Sequence, residues 1–154
     1  MMGEFSWQVV WGLKTTSLFD VWSFEHFMAG ISVGGIVVLV NRRAMSQLPM
    51  SPGSHRHAWF DIAGCLFLAY LWETIEHYLE NGTAGEAVRY WFQGIEFWGN
   101  RLIVDPLLLL LGMLLVSRCP WLAWPARAIS TLWLAIHVFV FPHCMYLYEI
   151  FDLV

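Results

Sequence analysis

Trp59-Phe60-Asp61-Ile62-Ala63-Gly64-Cys65-Leu66-Phe67-Leu68-Ala69-Tyr70-Leu71-Trp72 is an apolar run that closes on Glu73-Thr74-Ile75-Glu76-His77-Tyr78-Leu79-Glu80. A run of about 20 mainly apolar residues is long enough to cross a bilayer as a helix. A charge inside such a helix costs about 3 kcal/mol at its centre unless it finds a partner or water. Yet Glu73, Glu76, His77 and Glu80 recur at i, i+3, i+4 and i+7, which sets all four on one helical face. Three carboxylates that close repel one another, so the face demands a cation: a metal, an arginine or a shared proton.

The rest of the chain has the same solvent. Of its 154 residues, 58% are hydrophobic and only 13% charged, which excludes an ordinary water-soluble domain. The 8 Lys and Arg are dispersed and the net charge is -4, so no nucleic-acid surface is present. Cys65, Cys119 and Cys144 form no C-x-x-C pair and read as free thiols. Four apolar segments predict spans at Val21 to Val40, Trp59 to Leu79, Arg101 to Val116 and Ala128 to Tyr148. The expected fold is all-α, a single transmembrane domain over residues 1–154 built as a four-helix bundle. Glu25 and His26 interrupt the first span and no cleavage site follows it, so it is expected to stay in the protein rather than act as a signal peptide.

Arg42, Arg43, Arg56, Arg118 and Arg127 lie in the two short loops, against Lys14, Arg89 and Arg101 on the opposite side. That bias predicts cytoplasmic loops and two extracytoplasmic termini, as in a multi-pass protein of a bacterial inner membrane. Glu25 and His26, Glu73 to Glu80, Asn100 to Asp105, and His143 and Glu149 then share one shallow layer at the outer face. Asn81-Gly82 predicts the end of the second span. Thr83-x-x-Glu86 and the recurrence of Ala87, Val88, Trp91, Phe92, Ile95 and Trp98 predict an amphipathic interfacial helix over residues 84–97, a lid on that layer. Glu86, Arg89, Gln93 and Glu96 fall on its polar face. The stretch containing Phe5, Trp7, Trp11 and Lys14 is expected to lie flat beside it.

Candidate metal ligands are His26, Glu73, Glu76 and His77, with Glu25, Asp105 and His143 as possible additions and Arg101 as counter-charge. Mixed oxygen and imidazole donors suit iron, zinc or manganese. Neighbouring residues diverge by about 100° on a helix, so one of Glu25 and His26 is expected to face elsewhere, and His26 is the better ligand. Ordinary ion pairs at a wet interface and a proton relay are the alternatives. A b-type haem between His77 or His26 and His143 is disfavoured by the surrounding carboxylates. Asp105-Pro106 reads either as a kink in a helix starting near Asn100 or as an N-cap with proline at N1, and capping is the simpler role for Asp105. Pro142 predicts a bend beside His143, and His137, deeper, reads as a hydrogen-bonded core residue. His55-Arg56-His57 suits a headgroup anchor. Apart from the bilayer, other membrane subunits are conceivable partners, and a non-catalytic accessory subunit is the competing functional class.

His26-Phe27-x-x-Gly30, Trp72-Glu73-x-x-Glu76 and Gly99-Asn100 through Asp105 to Gly112 resemble small uncharacterised bacterial inner-membrane proteins of the VanZ-like and YjdF-like kind. The resemblance spans roughly residues 20 to 116. Where those families usually carry an aspartate one turn ahead of the histidine, this chain has Trp22. The resemblance implies a polytopic membrane protein with polar residues gathered at one face and no defined reaction.

Overall fold

The computed structural model describes residues 10–46, 55–92, 94–136 and 139, without the side chains of residues 55 and 56. They form five α-helices and no strand among the described residues: α1 Val21–Met45, α2 His55–Glu80, α3 Glu86–Phe92, α4 Asp105–Arg118 and α5 Ala123–Ala135. A π-helical turn, Asn100–Val104, leads into α4. Three stretches, Val21–Met45, His57–Glu80 and Asn100–Arg118, are long and apolar enough to cross a membrane. The predicted fourth span is described only in its first part. α5 starts five residues before Ala128, and His137, His143, Cys144 and Glu149 lie outside the described residues.

Small residues set the packing of α1 on α4. A Cβ on Gly30 would fall 2.1 Å from the carbonyl oxygen of Leu109, and one on Gly112 would fall 2.3 Å from that of Phe27. Gly34 meets Met113 in the same way. Gly30 and Gly34 have the small-xxx-small spacing that lets two backbones approach where no hydrophobic drive separates helix from lipid. The pairs advance together along both chains, so α1 and α4 run parallel. α2 returns antiparallel, with Gly64 near Val37 and the Cys65 thiol 3.8 Å from the Leu109 carbonyl. Val38, Cys65, Ala69, Leu109 and Met113 form the core between these three helices. Phe67, Leu39 and Leu111 stay outward and exposed, as apolar residues facing lipid do.

Local chemistry fixes the helix ends that carry the polar layer. The Asp20 carboxylate accepts from the N–H groups of Trp22 (2.8 Å) and Ser23 (3.0 Å), and the Ser23 hydroxyl accepts from Asp20 N–H, a complete capping box for α1. α2 ends at Asn81-Gly82, with Gly82 at φ +81°. The predicted interfacial helix is shorter than 84–97. It runs only over Glu86–Phe92, because Gly94 at φ +112° breaks the helical register. Beyond that break the faces exchange. Ile95 and Trp98 are exposed while Glu96 is 5% exposed, the reverse of the amphipathic expectation. Gln93, on the predicted polar face, lies outside the described residues, as do Phe5 and Trp7.

Candidate metal centre

Two segments outside the long helices close over their acidic ends. The loop before α1 folds on itself through Phe19 N–H to Val10 carbonyl (2.8 Å) and Gly12 N–H to Phe19 carbonyl (3.1 Å). The Lys14 carbonyl at its tip accepts from Phe97 N–H at 2.8 Å, tying the loop to the 94–99 segment. Lys14 is thereby turned inward, 2% exposed, with its ammonium 3.4 Å from Glu76 and paired with Glu80. On the opposite wall, Pro106 has no N–H to give the Leu102 carbonyl, four residues back. The chain widens into the π turn there, Asp105 N–H bonds the Asn100 carbonyl, and the Tyr70 hydroxyl donates to Leu102 at 3.1 Å. The proline thus stays inside a continuous helix. Capping of the helix by Asp105 is corrected: Val104 holds the cap position, no side chain caps it, and the Asp105 side chain is free for the interior.

Asp105 is fully buried beside His26. The imidazole Nδ1 lies 3.0 Å from the Trp22 carbonyl and 3.3 Å from Asp105 Oδ2. Both neighbours are acceptors, so Nδ1 carries the proton. That leaves Nε2 facing Glu73 Oε1 at 3.0 Å. Donor atoms of His26, Glu73 and Glu76 all lie within 4.8 Å of one another, and this buried trio could hold a metal ion. Asp105 Oδ1 meets no N–H donor among the described residues, and the Glu96 carboxyl shares a side-chain hydrogen bond with Asp105.

Glu76 also belongs to a second buried group with Glu80 and Glu96. Cations already occupy this one. Lys14 bridges Glu76 and Glu80, while the Arg101 guanidinium pairs with Glu80, lies 3.2 Å from Glu96 and reaches Glu73 through Nε at 3.6 Å. Asn100 donates to Glu96 Oε1 at 2.8 Å, and Glu80 Oε2 accepts from Glu96 N–H at 3.2 Å.

The remaining candidates are placed elsewhere. Glu25 turns toward α5 and accepts from the Ser130 hydroxyl, so the two residues of the Glu25-His26 dyad do diverge. His77 is on the exposed edge of α2, with Nδ1 3.1 Å from Arg101 and Nε2 3.1 Å from Asn81. It joins neither group of potential ligands. His143 lies outside the described residues, and with it the histidine pair that haem would need. Lys14 and Glu96 enter the site without having been placed in that layer by the sequence, whereas Asn100 was.

Charge balance gives the layer its chemistry. Asp20, Glu73, Glu76, Glu80, Glu96 and Asp105 are buried carboxyls, against the permanent cations Lys14 and Arg101. Even with His26 protonated, full ionisation would leave an excess of three negative charges in a low-dielectric interior, which protons or a further cation must offset. Burial, then the charges of Asp105, Glu76 and Glu73, push the Glu96 carboxyl up to about 10. Burial likewise raises Asp20 above the usual aspartate range, despite its capping bonds. Burial alone would lower Lys14, but Glu76 and Glu80 outweigh it and hold the ammonium above its ordinary value. No protein family, curated protein or solved structure matches the chain. Its chemistry therefore rests on its own residues.

Proposed function

We propose that the chain is a multi-pass membrane protein that holds one divalent metal ion, iron, zinc or manganese, on His26, Glu73 and Glu76. The observation that carries this reading is the orientation of His26. Asp105 and the Trp22 carbonyl accept from Nδ1–H and turn Nε2 toward the Glu73 carboxylate, where a metal ion would take the place of the Nε2 proton. A carboxylate behind a ligating imidazole fixes its tautomer and raises its basicity, the usual outer-shell arrangement of metal-bound histidine. The 3.0 Å between Nε2 and Glu73 Oε1 also suits two ligands of one ion bonded at about 2.0–2.2 Å each. Arg101 acts as counter-charge from the neighbouring group. An open coordination position would take water, which a metal ion activates for hydrolysis. The bias of Arg42, Arg43, Arg118 and Arg127 favours an extracytoplasmic site.

Elemental analysis of protein purified in detergent and loaded with Zn²⁺, Mn²⁺ or Fe²⁺ tests the reading. Stoichiometric metal is expected in the parent and in Glu25→Gln, whose side chain faces α5, and its loss in Glu73→Ala and His26→Gln. A parent protein that takes up none of the three ions would overturn the metal and leave proton exchange or an accessory role.

A further inference from the structure

A cavity of about 450 Å³ opens beside His26 and Glu76, between α1 and α2, with α3, Leu109 of α4 and Leu134 of α5 also lining it. Its shape and polarity run in one direction. Along α1 the lining extends from Trp22 to Val33, about 16 Å at 1.5 Å per residue, so the space is a slot parallel to the helices. Among the described residues, Glu25, His26 and Glu76 are its only ionisable lining residues, and all three sit toward the end roofed by Trp22 and Trp91, whose rings lie 6.1 Å apart. The other end, at Val33 and Leu68, is wholly apolar.

We infer that this slot receives one hydrocarbon chain of a membrane lipid and presents that lipid's headgroup oxygens to the His26–Glu76 corner. The headgroup contact rests on the metal reading above, since a hard divalent cation on His26, Glu73 and Glu76 is what would attract an ester or phosphoryl oxygen there. Three features select this occupant. The slot lies within helices apolar enough to span a bilayer, so hydrocarbon is its surrounding solvent. Its polar end lies near the helix termini and its apolar end deeper, the polarity of a lipid standing in its own leaflet. Its length along α1 exceeds what a compact polar molecule needs, while the described part of its wall offers such a molecule no charged partner below His26. The carboxylates of Glu73 and Glu76 would repel an anionic headgroup in the empty site, so metal and lipid bind as partners rather than as rivals.

The test is native mass spectrometry of the full chain reconstituted in vesicles of phosphatidylethanolamine and phosphatidylglycerol, then extracted and washed in detergent, with metal measured on the same preparations. Val33→Trp fills the apolar end of the slot. Leu111→Trp adds the same bulk to an exposed apolar position that does not line it. The parent and Leu111→Trp are expected to retain one lipid, and Val33→Trp to lose it while keeping its metal. Equal lipid retention by Val33→Trp and Leu111→Trp, or none by the parent, with metal bound throughout, would overturn the slot assignment. Lipid retained and lost in the expected pattern without metal in any preparation would overturn the metal reading and the headgroup contact, and would leave the chain-binding slot standing.

Discussion

Glu76 stands between two groups of buried carboxylates that are neutralised by different means. On one side, Glu80 and Glu96 meet Lys14 and Arg101, cations supplied by the chain itself. On the other, Glu73 and Asp105 flank the His26 imidazole, and Arg101 reaches Glu73 only through Nε at 3.6 Å. The side with built-in cations is a structural ion network that closes the N-terminal loop and the 94–99 segment over the helix ends. The side with histidine is where the proposed metal ion would sit. Burial and acidity are alike in both; the choice of ammonium, guanidinium or imidazole sets their roles.

The largest effect is expected from Arg101→Leu, which leaves Glu73, Glu80 and Glu96 facing one another without their shared cation. Removing one partner of a buried ion pair costs about 3–5 kcal/mol, so thermal unfolding in detergent should show a collapse of stability or no folded protein. Arg101→Lys should rescue only part of it, because a single ammonium cannot reach three carboxylates in the manner of the guanidinium fork.

Lys14→Met converts the occupied group into an empty one. In metal-free protein we expect a loss of about 3 kcal/mol. Added Mn²⁺ should restore more stability to this variant than to the parent, since Glu76, Glu80 and Glu96 then offer a second set of donors. An equal response of both proteins would erase the distinction between the two groups.

Asp105→Asn probes the other side. It keeps the shape but weakens the acceptor behind His26, and about a 10–100-fold loss of metal affinity by titration is expected, with the fold retained. Unchanged affinity would remove Asp105 from the site.

The pH profile sharpens the contrast further. Glu96 and Asp20 have raised values in the folded protein, so the folded state holds protons that the unfolded chain has released. Stability of the metal-free protein should therefore be greatest below the unfolded carboxylate values, near pH 4, and fall as pH rises toward about 10, where Glu96 ionises. Lys14, raised in the folded state, adds stability that is retained until pH passes its own value. Metal should reverse the trend over the same interval, because its ligands bind it deprotonated. The smallest effect is expected from Tyr70→Phe, about 1 kcal/mol, for the bond to the carbonyl released by Pro106.

Helical spacing made much of this site legible. Glu73, Glu76 and Glu80 follow from the i, i+3, i+7 pattern alone, and aligning the span ends brings His26 and Asp105 to their depth. His77 lies about 40° beyond Glu73 on the same helix, at the edge of that face, and only the position of Arg101 decides where it points. Glu96 was misplaced because an amphipathic pattern assumes an unbroken helix, and Gly94 reverses the faces after Phe92. Lys14 could not be found by periodicity at all. It reaches Glu80 from a loop whose path depends on the bond between its carbonyl and Phe97, more than 80 residues away in sequence. The close approach of α1 and α4 was present as Gly30-x-x-x-Gly34, a signal that the polar residues overshadowed.

The most direct test is pulsed electron paramagnetic resonance of the Mn²⁺-loaded protein. The account predicts one directly bound imidazole nitrogen in the parent, retained in Lys14→Met and lost in His26→Gln. Bound Mn²⁺ with no nitrogen coupling in the parent, or with a coupling that survives His26→Gln, would contradict it.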